Sequence, residues 1–221
     1  WFEQESGLTW DNLFSVHFIN DLIGWAAGDN GVILKTNNGG DNWEIQVYQE
    51  DHETLQSIMF ANDSIGWAIG DYGNILYSSD GGNNYQTQSN GPTHSIFSTH
   101  FQDASNGCAV GLKGTILITS DGGNNWEQID PGTTVDLWDV DFIDGSNGWT
   151  VGYDGIILKT SDGGHSWETQ EAGTSDEFTT IEFINDSLGF AGGEYGSLFK
   201  TENGGETWDR IDIEIYQRIN E

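Results

Sequence analysis

A short block, Ser/Thr-x-Asp/Asn-Gly-Gly-x-x-Trp/Tyr, occurs five times in this chain at nearly constant spacing, and we call it the box. The closing aromatic residues of the five boxes are Trp43, Tyr85, Trp126, Trp167 and Trp208, at steps of 42, 41, 41 and 41 residues. A phenylalanine and a glycine upstream of each box keep the same step. A fixed period of about 20–50 residues indicates one supersecondary unit that is copied and stacked. The chain is therefore predicted to be a repeat array.

Each repeat has the pattern of four short β-strands joined by tight turns. In the first repeat, segments 13–18 and 43–46 alternate between apolar and polar residues, whereas segments 23–28 and 31–36 are mostly apolar or small. The turns between them are rich in glycine and asparagine, which accept a positive φ. Four antiparallel strands in about 41 residues are typical of a β-propeller blade. The predicted fold class is all-β, a β-propeller of four-stranded blades with five whole repeats and a partial repeat at each end.

The predicted domain organisation is a single propeller over residues 1–221. Its five blades are placed at residues 8–50, 51–91, 92–132, 133–173 and 174–214. Residues 1–7 are assigned to the outer strand of a preceding blade, and residues 219–221 to the start of a following one. This arrangement predicts a fragment of a longer chain, whose further domains are expected among its partners.

Composition argues against two classes of partner. The chain has 36 acidic and 6 basic residues, a formal charge of −30, which repels nucleic-acid phosphates. It also lacks an apolar run near the roughly 20 residues that a membrane helix needs. Neither nucleic-acid binding nor direct membrane insertion is expected. The acidic surface has two open interpretations, a solvated surface or a binder of divalent cations such as calcium, and no other cofactor is expected.

The single cysteine is predicted to be a buried core residue. Cys108 occupies the position that Trp25, Trp67, Trp149 and Phe190 hold in the other repeats. One cysteine cannot form an internal disulfide, and free cysteine packs as a small apolar side chain. An inert structural role is expected.

The boxes are predicted to be structural. A short Asp or Asn side chain accepts backbone N–H bonds inside its own turn, and the aromatic residue that follows packs back onto the blade. Because the turn between the third and fourth strands lies at the periphery of a blade, these side chains are not expected to converge on a ligand. The set comprises Asn38, Asp80, Asp121, Asp162 and Asn203 with the aromatic residues Trp43, Tyr85, Trp126, Trp167 and Trp208. Trp126 and Trp167 are expected to be largely buried.

The turns between the second and third strands are the candidate binding surface because they differ most between repeats. Specific recognition needs an asymmetric surface, and tyrosine supplies contact area at a low entropic cost. The candidate partner-binding residues are Tyr72, Lys113, Tyr153, Asp154 and Tyr195. The alternative is that they are ordinary polar turn residues.

A second candidate set lies on the first strands, where alternation predicts side chains in the central channel. The equivalent positions carry His17, Met59, His100, Asp141 and Glu182. Imidazole and carboxylate groups are metal ligands, so a channel metal site is one hypothesis. The other is that these side chains are simply hydrated.

The residues of the repeat also carry a family resemblance. Segment 119–126, Thr-Ser-Asp-Gly-Gly-Asn-Asn-Trp, resembles the Asp-box of BNR-type propellers. Together with an upstream Gly-Trp-Ala-x-Gly-x-x-Gly-x-Ile-Leu-x-Thr, the chain looks most like the photosystem II stability/assembly factor family. That resemblance implies a binding protein of the thylakoid lumen or periplasm that contacts a membrane-protein intermediate. The family's basic recognition patch has no counterpart among six basic residues.

Related boxes in sialidases and two-propeller xyloglucanases raise the question of catalysis. A sialidase-like site implies three arginines, and this chain has only Arg210 and Arg218. A xyloglucanase-like glycoside hydrolase needs two opposed carboxylates, and the sequence singles out no pair. We therefore expect no enzyme, but a binding or scaffold propeller of a secreted or cell-surface protein that mediates protein or glycan interaction. The alternatives are a photosystem II assembly factor-like module and the glycoside hydrolase.

Overall fold

The computed structural model describes residues 11–47, 53–88 and 94–212. These residues form five four-stranded antiparallel sheets, in which the strands follow one another in chain order. Each sheet is one blade, and the predicted all-β propeller architecture is confirmed. The only helical segments in these ranges are five three-residue 3-10 turns. The partial repeats predicted at residues 1–7 and 219–221 lie outside the described residues.

The four strand positions recur in every blade. The first strands are β1 (Leu13–Phe18), β5 (Leu55–Phe60), β9 (Ile96–Phe101), β13 (Leu137–Phe142) and β17 (Phe178–Phe183). The second strands are β2 (Gly24–Gly28), β6 (Gly66–Gly70), β10 (Gly107–Gly111), β14 (Gly148–Gly152) and β18 (Gly189–Gly193). The third strands are β3 (Ile33–Thr36), β7 (Ile75–Ser78), β11 (Thr115–Thr119), β15 (Ile157–Thr160) and β19 (Leu198–Thr201). The fourth strands are β4 (Glu44–Val47), β8 (Gln86–Thr87), β12 (Glu127–Ile129), β16 (Glu168–Gln170) and β20 (Asp209–Arg210).

Aromatic stacking joins successive blades. The Trp25 ring of blade 1 lies 3.6 Å from that of Phe60 in blade 2, with 5° between the ring planes. Equivalent pairs at 3.5 Å join blades 2 and 3 and blades 4 and 5. Phe60 also covers Gly66 of its own blade, where a Cβ atom would lie 2.4 Å from the ring. The periodic phenylalanine and glycine are therefore two sides of one contact.

The side of blade 1 that faces away from blade 2 is not covered by any described residue. In blade 2, Leu55, Ile58 and Phe60 pack against blade 1 and are at most 2% exposed. Val16 and Phe18 are the blade 1 residues equivalent to Ile58 and Phe60, and they are 61% and 40% exposed. Blade 1 thus presents an apolar face of the kind that every other blade buries against its predecessor.

The cysteine prediction is confirmed. Cys108 is fully buried in the second strand of blade 3, within the apolar core that blades 3 and 4 share. Burial raises the pKa of its thiol, which keeps the group protonated and unreactive.

Candidate binding surface

The turn between the second and third strands of each blade is a type I′ turn. In blade 2, Asn74 N donates to the Asp71 carbonyl at 3.0 Å, and the two central residues, Tyr72 and Gly73, have φ of 55° and 73°. This turn matches the twist of the flanking strands, but it requires positive φ at both central positions. The residues at the first central position of the five turns are Asn30, Tyr72, Lys113, Asp154 and Tyr195.

Three of these five residues are poorly suited to the conformation they adopt. Asparagine and aspartate tolerate the left-handed region, whereas other non-glycine residues pay about 1–2 kcal/mol there. Tyr72, Lys113 and Tyr195 have no turn-forming advantage over asparagine. The conformational requirement of the turn therefore does not account for their identity.

The tip tyrosines are exposed. Tyr72, Tyr153 and Tyr195 are 75%, 50% and 90% accessible, and Lys113 and Asp154 are also exposed. We call these five residues the tip surface. All five belong to turns at corresponding positions of blades 2, 3, 4 and 5. Large amphipathic rings held out on short, rigid turns are suited to contacting another molecule.

Hydrogen bonds fix the tips in place. Each tip binds the residue that precedes its own first strand, as in the 3.0 Å bond from Asp71 N to the Thr54 carbonyl. Three tips, those of blades 1, 2 and 3, also bind the loop that leads into the next blade. Lys113 N donates to Asp136 Oδ1 at 2.8 Å, and Tyr72 N lies 3.4 Å from Ser95 Oγ. The tips and the inter-blade loops therefore form one continuous face.

The box side chains make hydrogen bonds within their own turns. Asp121 Oδ1 accepts from Asn125 N at 2.8 Å and from the Thr119 hydroxyl at 3.0 Å. The Thr119 oxygen in turn accepts from Gly123 N. The same pattern recurs at Asn38, Asp80, Asp162 and Asn203. These bonds lower the pKa of Asp80 and Asp121, and that of Asp162 to about 2.

The box aromatics are less buried than expected. Trp208 is buried at 7% exposure, but Trp126 and Trp167 are only partly buried, as are Trp43 and Tyr85. Trp126 and Trp167 make edge-on contacts with Phe101 and Phe142, with one side left to solvent. All five aromatic residues lie just before the short fourth strand, and four of them stay partly exposed there.

The channel residues bind neighbouring blades. His17 Nε2 donates to the Phe60 carbonyl at 3.0 Å, and Asp141 Oδ2 accepts from Phe183 N at 2.7 Å. His100 Nδ1 lies 3.3 Å from Asp141 Oδ1, while Met59 Sδ accepts from Phe101 N. Within the described ranges no three His, Cys, Asp or Glu residues are grouped so as to hold a metal ion.

Carboxylates crowd the part of the channel near blades 4 and 5. Burial raises the pKa of Glu182, and the neighbouring charges of Asp141 and Asp139 add to this effect. Asp139, which the sequence did not single out, accepts from the Ser98 and Thr180 hydroxyls and from the Val140 and Ile181 amides. Burial outweighs these donors and raises the pKa of Asp139. One side chain thereby joins the first strands of blades 3, 4 and 5.

Replacing His17 by glutamine is expected to flatten the pH dependence of stability on the acid side of neutrality. Burial lowers the pKa of His17, so the folded state holds the neutral imidazole. A depressed folded pKa gives stability that is present above the unfolded value, near 6.5, and is lost as pH falls towards the folded value. Urea unfolding across that window measures the slope, with the exposed His165→Gln as control. An unchanged slope in His17→Gln would contradict this assignment.

The described basic residues do not form a patch. Lys35 and Lys159 donate to glycine carbonyls between blades, at 2.8 and 3.0 Å. Lys200 pairs with Glu202, and Arg210 pairs with Asp176 at 3.2 Å. Lys113 stands apart from them on the tip surface. No helix in the described ranges is long and apolar enough to cross a membrane.

Comparison with known proteins agrees with this architecture. The structure of a complex described as YCF48 bound to D1 peptide has a TM-score of 0.66 at 18% identity, over 90% of this chain and 80% of that one. YCF48 from Cyanidioschyzon merolae scores 0.63 at 19% identity, over 91% and 85%. The Niastella koreensis GH74 enzyme scores 0.76 at 16% identity, over 90% of this chain but only 38% of the enzyme. No curated protein sequence matches significantly.

Repeated box turns on four-stranded blades define the class as a BNR-type β-propeller. The family model described as Photosynthesis system II assembly factor YCF48 matches residues 1–91 and 124–216. The chain belongs to this family.

Proposed function

We propose that this chain is a non-catalytic propeller that binds a protein segment through the tip surface. The observation that carries the proposal is the three exposed tyrosines on rigid turns, two of them at positive φ. Membership of an assembly-factor family supports a binding role, as does a related propeller that has been solved with a bound peptide. Tyrosine is enriched at the energetic centres of protein interfaces.

The charge of the chain indicates the chemistry of the partner. Asp71, Asp154 and Glu194 flank the tip tyrosines, and Lys113 is the only basic residue among the tips. With a net charge of −30, electrostatic steering favours a basic or neutral segment over an acidic one. A glycan that stacks on the tyrosines is the second ligand class that this surface suits.

In this proposal, the cellular compartment of the chain is inferred from its family. A factor that assembles photosystem II works at the thylakoid membrane, in the lumen or an equivalent periplasm. The secreted or cell-surface location is the competing proposal, and fractionation of the source cells separates the two. A glycoside hydrolase role has less support, because the likeness to GH74 enzymes is at 11–17% identity and covers only 31–38% of those chains.

Substituting the five tip residues together is expected to abolish binding while leaving the fold intact. Asparagine suits the left-handed positions, so Tyr72→Asn, Lys113→Asn, Asp154→Asn and Tyr195→Asn combine with Tyr153→Ser. Each interface tyrosine is expected to contribute about 2 kcal/mol, or about 30-fold in affinity. A pull-down from the source cells identifies the partner, and calorimetry with that partner measures the loss.

The matched control is Asp80→Asn, which changes an exposed group at the box-bearing edge. This control should keep its affinity. Retained binding in the tip variant, or an interface mapped to the box edge, would contradict the proposal.

A further inference from the structure

Hydrogen-bond donors reach from blades 1, 2 and 4 to the first glycine of the box in the next blade. Between blades 1 and 2, the Gly81 carbonyl accepts from Trp25 Nε1 at 3.1 Å and from Lys35 Nζ at 2.8 Å. Between blades 4 and 5, the Gly204 carbonyl accepts from the equivalent tryptophan at 3.3 Å and from the equivalent lysine at 3.0 Å. Each lysine pairs directly with its tryptophan across neighbouring strands and lies over its ring.

Between blades 2 and 3, tryptophan again supplies the first donor, but the second donor comes from a position other than that of the lysine. The Gly122 carbonyl accepts from Trp67 Nε1 at 3.1 Å and from Gln88 Nε2 at 3.0 Å. Gly81, Gly122 and Gly204 are all buried. A glycine carbonyl at this point in the propeller therefore accepts two donors in three different gaps.

The gap between blades 3 and 4 departs from this pattern. Its three donor positions hold Cys108, Ile118 and Ile129. Blades 1, 2 and 4 have tryptophan at the first position and glutamine at the third, and blades 1 and 4 have lysine at the second. None of the three side chains has an N–H group. No donor from residues 94–212, the described range that includes both blades of this gap, reaches the Gly163 carbonyl. Gly163 is partly exposed.

A cleft of about 380 Å³ occupies this gap. Its walls come from the box turns of blades 3 and 4, from the third strand of blade 3 and from the turn between the first and second strands of blade 3. They include Gln102, Asp103, Ile118, Asp121, Asp162 and Gly163. No other gap between two boxes combines these features in the described part of the chain.

The cleft is rich in acceptors and lacks a lysine or arginine among its lining residues. Among the lining side chains, the acceptor Gln102 Oε1 and the donor Trp126 Nε1 are both buried without a hydrogen-bond partner. Four carboxylate residues line the cleft, Asp103, Asp121, Glu127 and Asp162, and all four are exposed. Hydrogen bonds in their turns lower the pKa of Asp103, Asp121 and Asp162, which keeps these three ionised at neutral pH. The Gly163 carbonyl, which no described donor reaches, and the surrounding carboxylates together favour a cationic donor.

We propose that this cleft binds a lysine or arginine side chain of a partner protein. Lys35 and Lys159 show inside the same molecule how an ammonium group fits against the equivalent carbonyl. The apolar wall at Ile118 and Trp126 would contact the aliphatic stem of the incoming side chain. The site lies on the box-bearing edge, so it is separate from the tip surface and goes beyond the function proposed above.

NMR titration with N-acetyl-lysine methylamide tests the proposal on the intact chain. Saturable shifts are expected at the amides of Gly163, Gly164 and His165. The uncharged N-acetyl-norleucine methylamide, at matched ionic strength, should produce none. Equal shifts with sodium chloride alone, or shifts spread evenly over all the acidic turns, would overturn the proposal.

Two variants locate the site. Ile118→Lys places a lysine at the position equivalent to Lys35. This variant should remove the saturable shifts, because the new ammonium group donates to the Gly163 carbonyl in place of the probe. Asp121→Asn with Asp162→Asn should lower the affinity for the probe by about two- to fivefold, the range for exposed ion pairs. Asparagine stands at this box position in blades 1 and 5, so the fold should be preserved.

Asp80→Asn, which removes the same kind of charge from box 2, is the matched control and should leave the titration unchanged. Undiminished binding in folded Ile118→Lys would overturn the proposal. The tip variant should retain probe binding, which separates failure of this proposal from failure of the tip surface.

Discussion

Replacing Trp149 by alanine is expected to lower the free energy of unfolding by about 3–5 kcal/mol, the range for truncating a buried tryptophan. The side chain is fully buried between blades 4 and 5. Its ring stacks on Phe183 at 3.5 Å, and its indole donates to the Gly204 carbonyl. Alanine removes the stack, the donor and the apolar contacts at once. Chemical denaturation followed by fluorescence of the remaining tryptophans measures the change.

Trp149→Phe separates the two contributions. It keeps an aromatic ring against Phe183 and loses the indole N–H, so a loss of about 1 kcal/mol is expected for the hydrogen bond. Hydrogen exchange should show the opening confined to blades 4 and 5, because repeat proteins are stabilised by contacts between neighbours. A loss in Trp149→Ala no larger than in Trp149→Phe would contradict the role given to the stack.

The repeat period predicted the blades well because each blade is built from local signals. Alternation defined the strands, and glycine or asparagine marked the turns, so the predicted segments 13–18 and 23–28 differ from the observed strands by at most one residue. Contacts between blades were not predictable in the same way. The period places Trp25 and Gly81 at known points of their units, but it does not show that one donates to the other across the gap.

The channel shows the same limit. The position two residues before the predicted channel residues carries Ser15, Ser57, Ser98, Asp139 and Thr180. This run of hydroxyls with one carboxylate was a signal that could have drawn attention to Asp139. Its meaning depends on strand spacing around the channel, which brings the neighbouring first strands within reach of one side chain. The cleft between blades 3 and 4 was also hidden, because Cys108 in place of tryptophan reads from sequence as a conservative core change.

Replacing Asp139 by alanine is expected to cost about 2–5 kcal/mol of stability. Val140 N and Ile181 N would lose their acceptor, at about 1–3 kcal/mol for each buried donor left unpaired, and the Ser98 and Thr180 hydroxyls would lose a shared partner. Removing the carboxylate also removes the free-energy cost of burying it. We expect the loss of its hydrogen bonds to be larger, because backbone amides, unlike hydroxyls, cannot rotate towards another acceptor. Urea denaturation at neutral pH measures it.

Two further variants test whether the number of donors sets the size of the effect. Asp139→Asn offers one oxygen and one amino group, so one of the two backbone amides must face a donor, and an intermediate loss is expected. Ser15→Ala is the matched control, since Ser15 Oγ accepts a single cross-blade bond from Ile58 N at 3.1 Å and should cost about 1 kcal/mol. An order in which Ser15→Ala costs as much as Asp139→Ala would show that Asp139 joins the three blades no more strongly than a serine does.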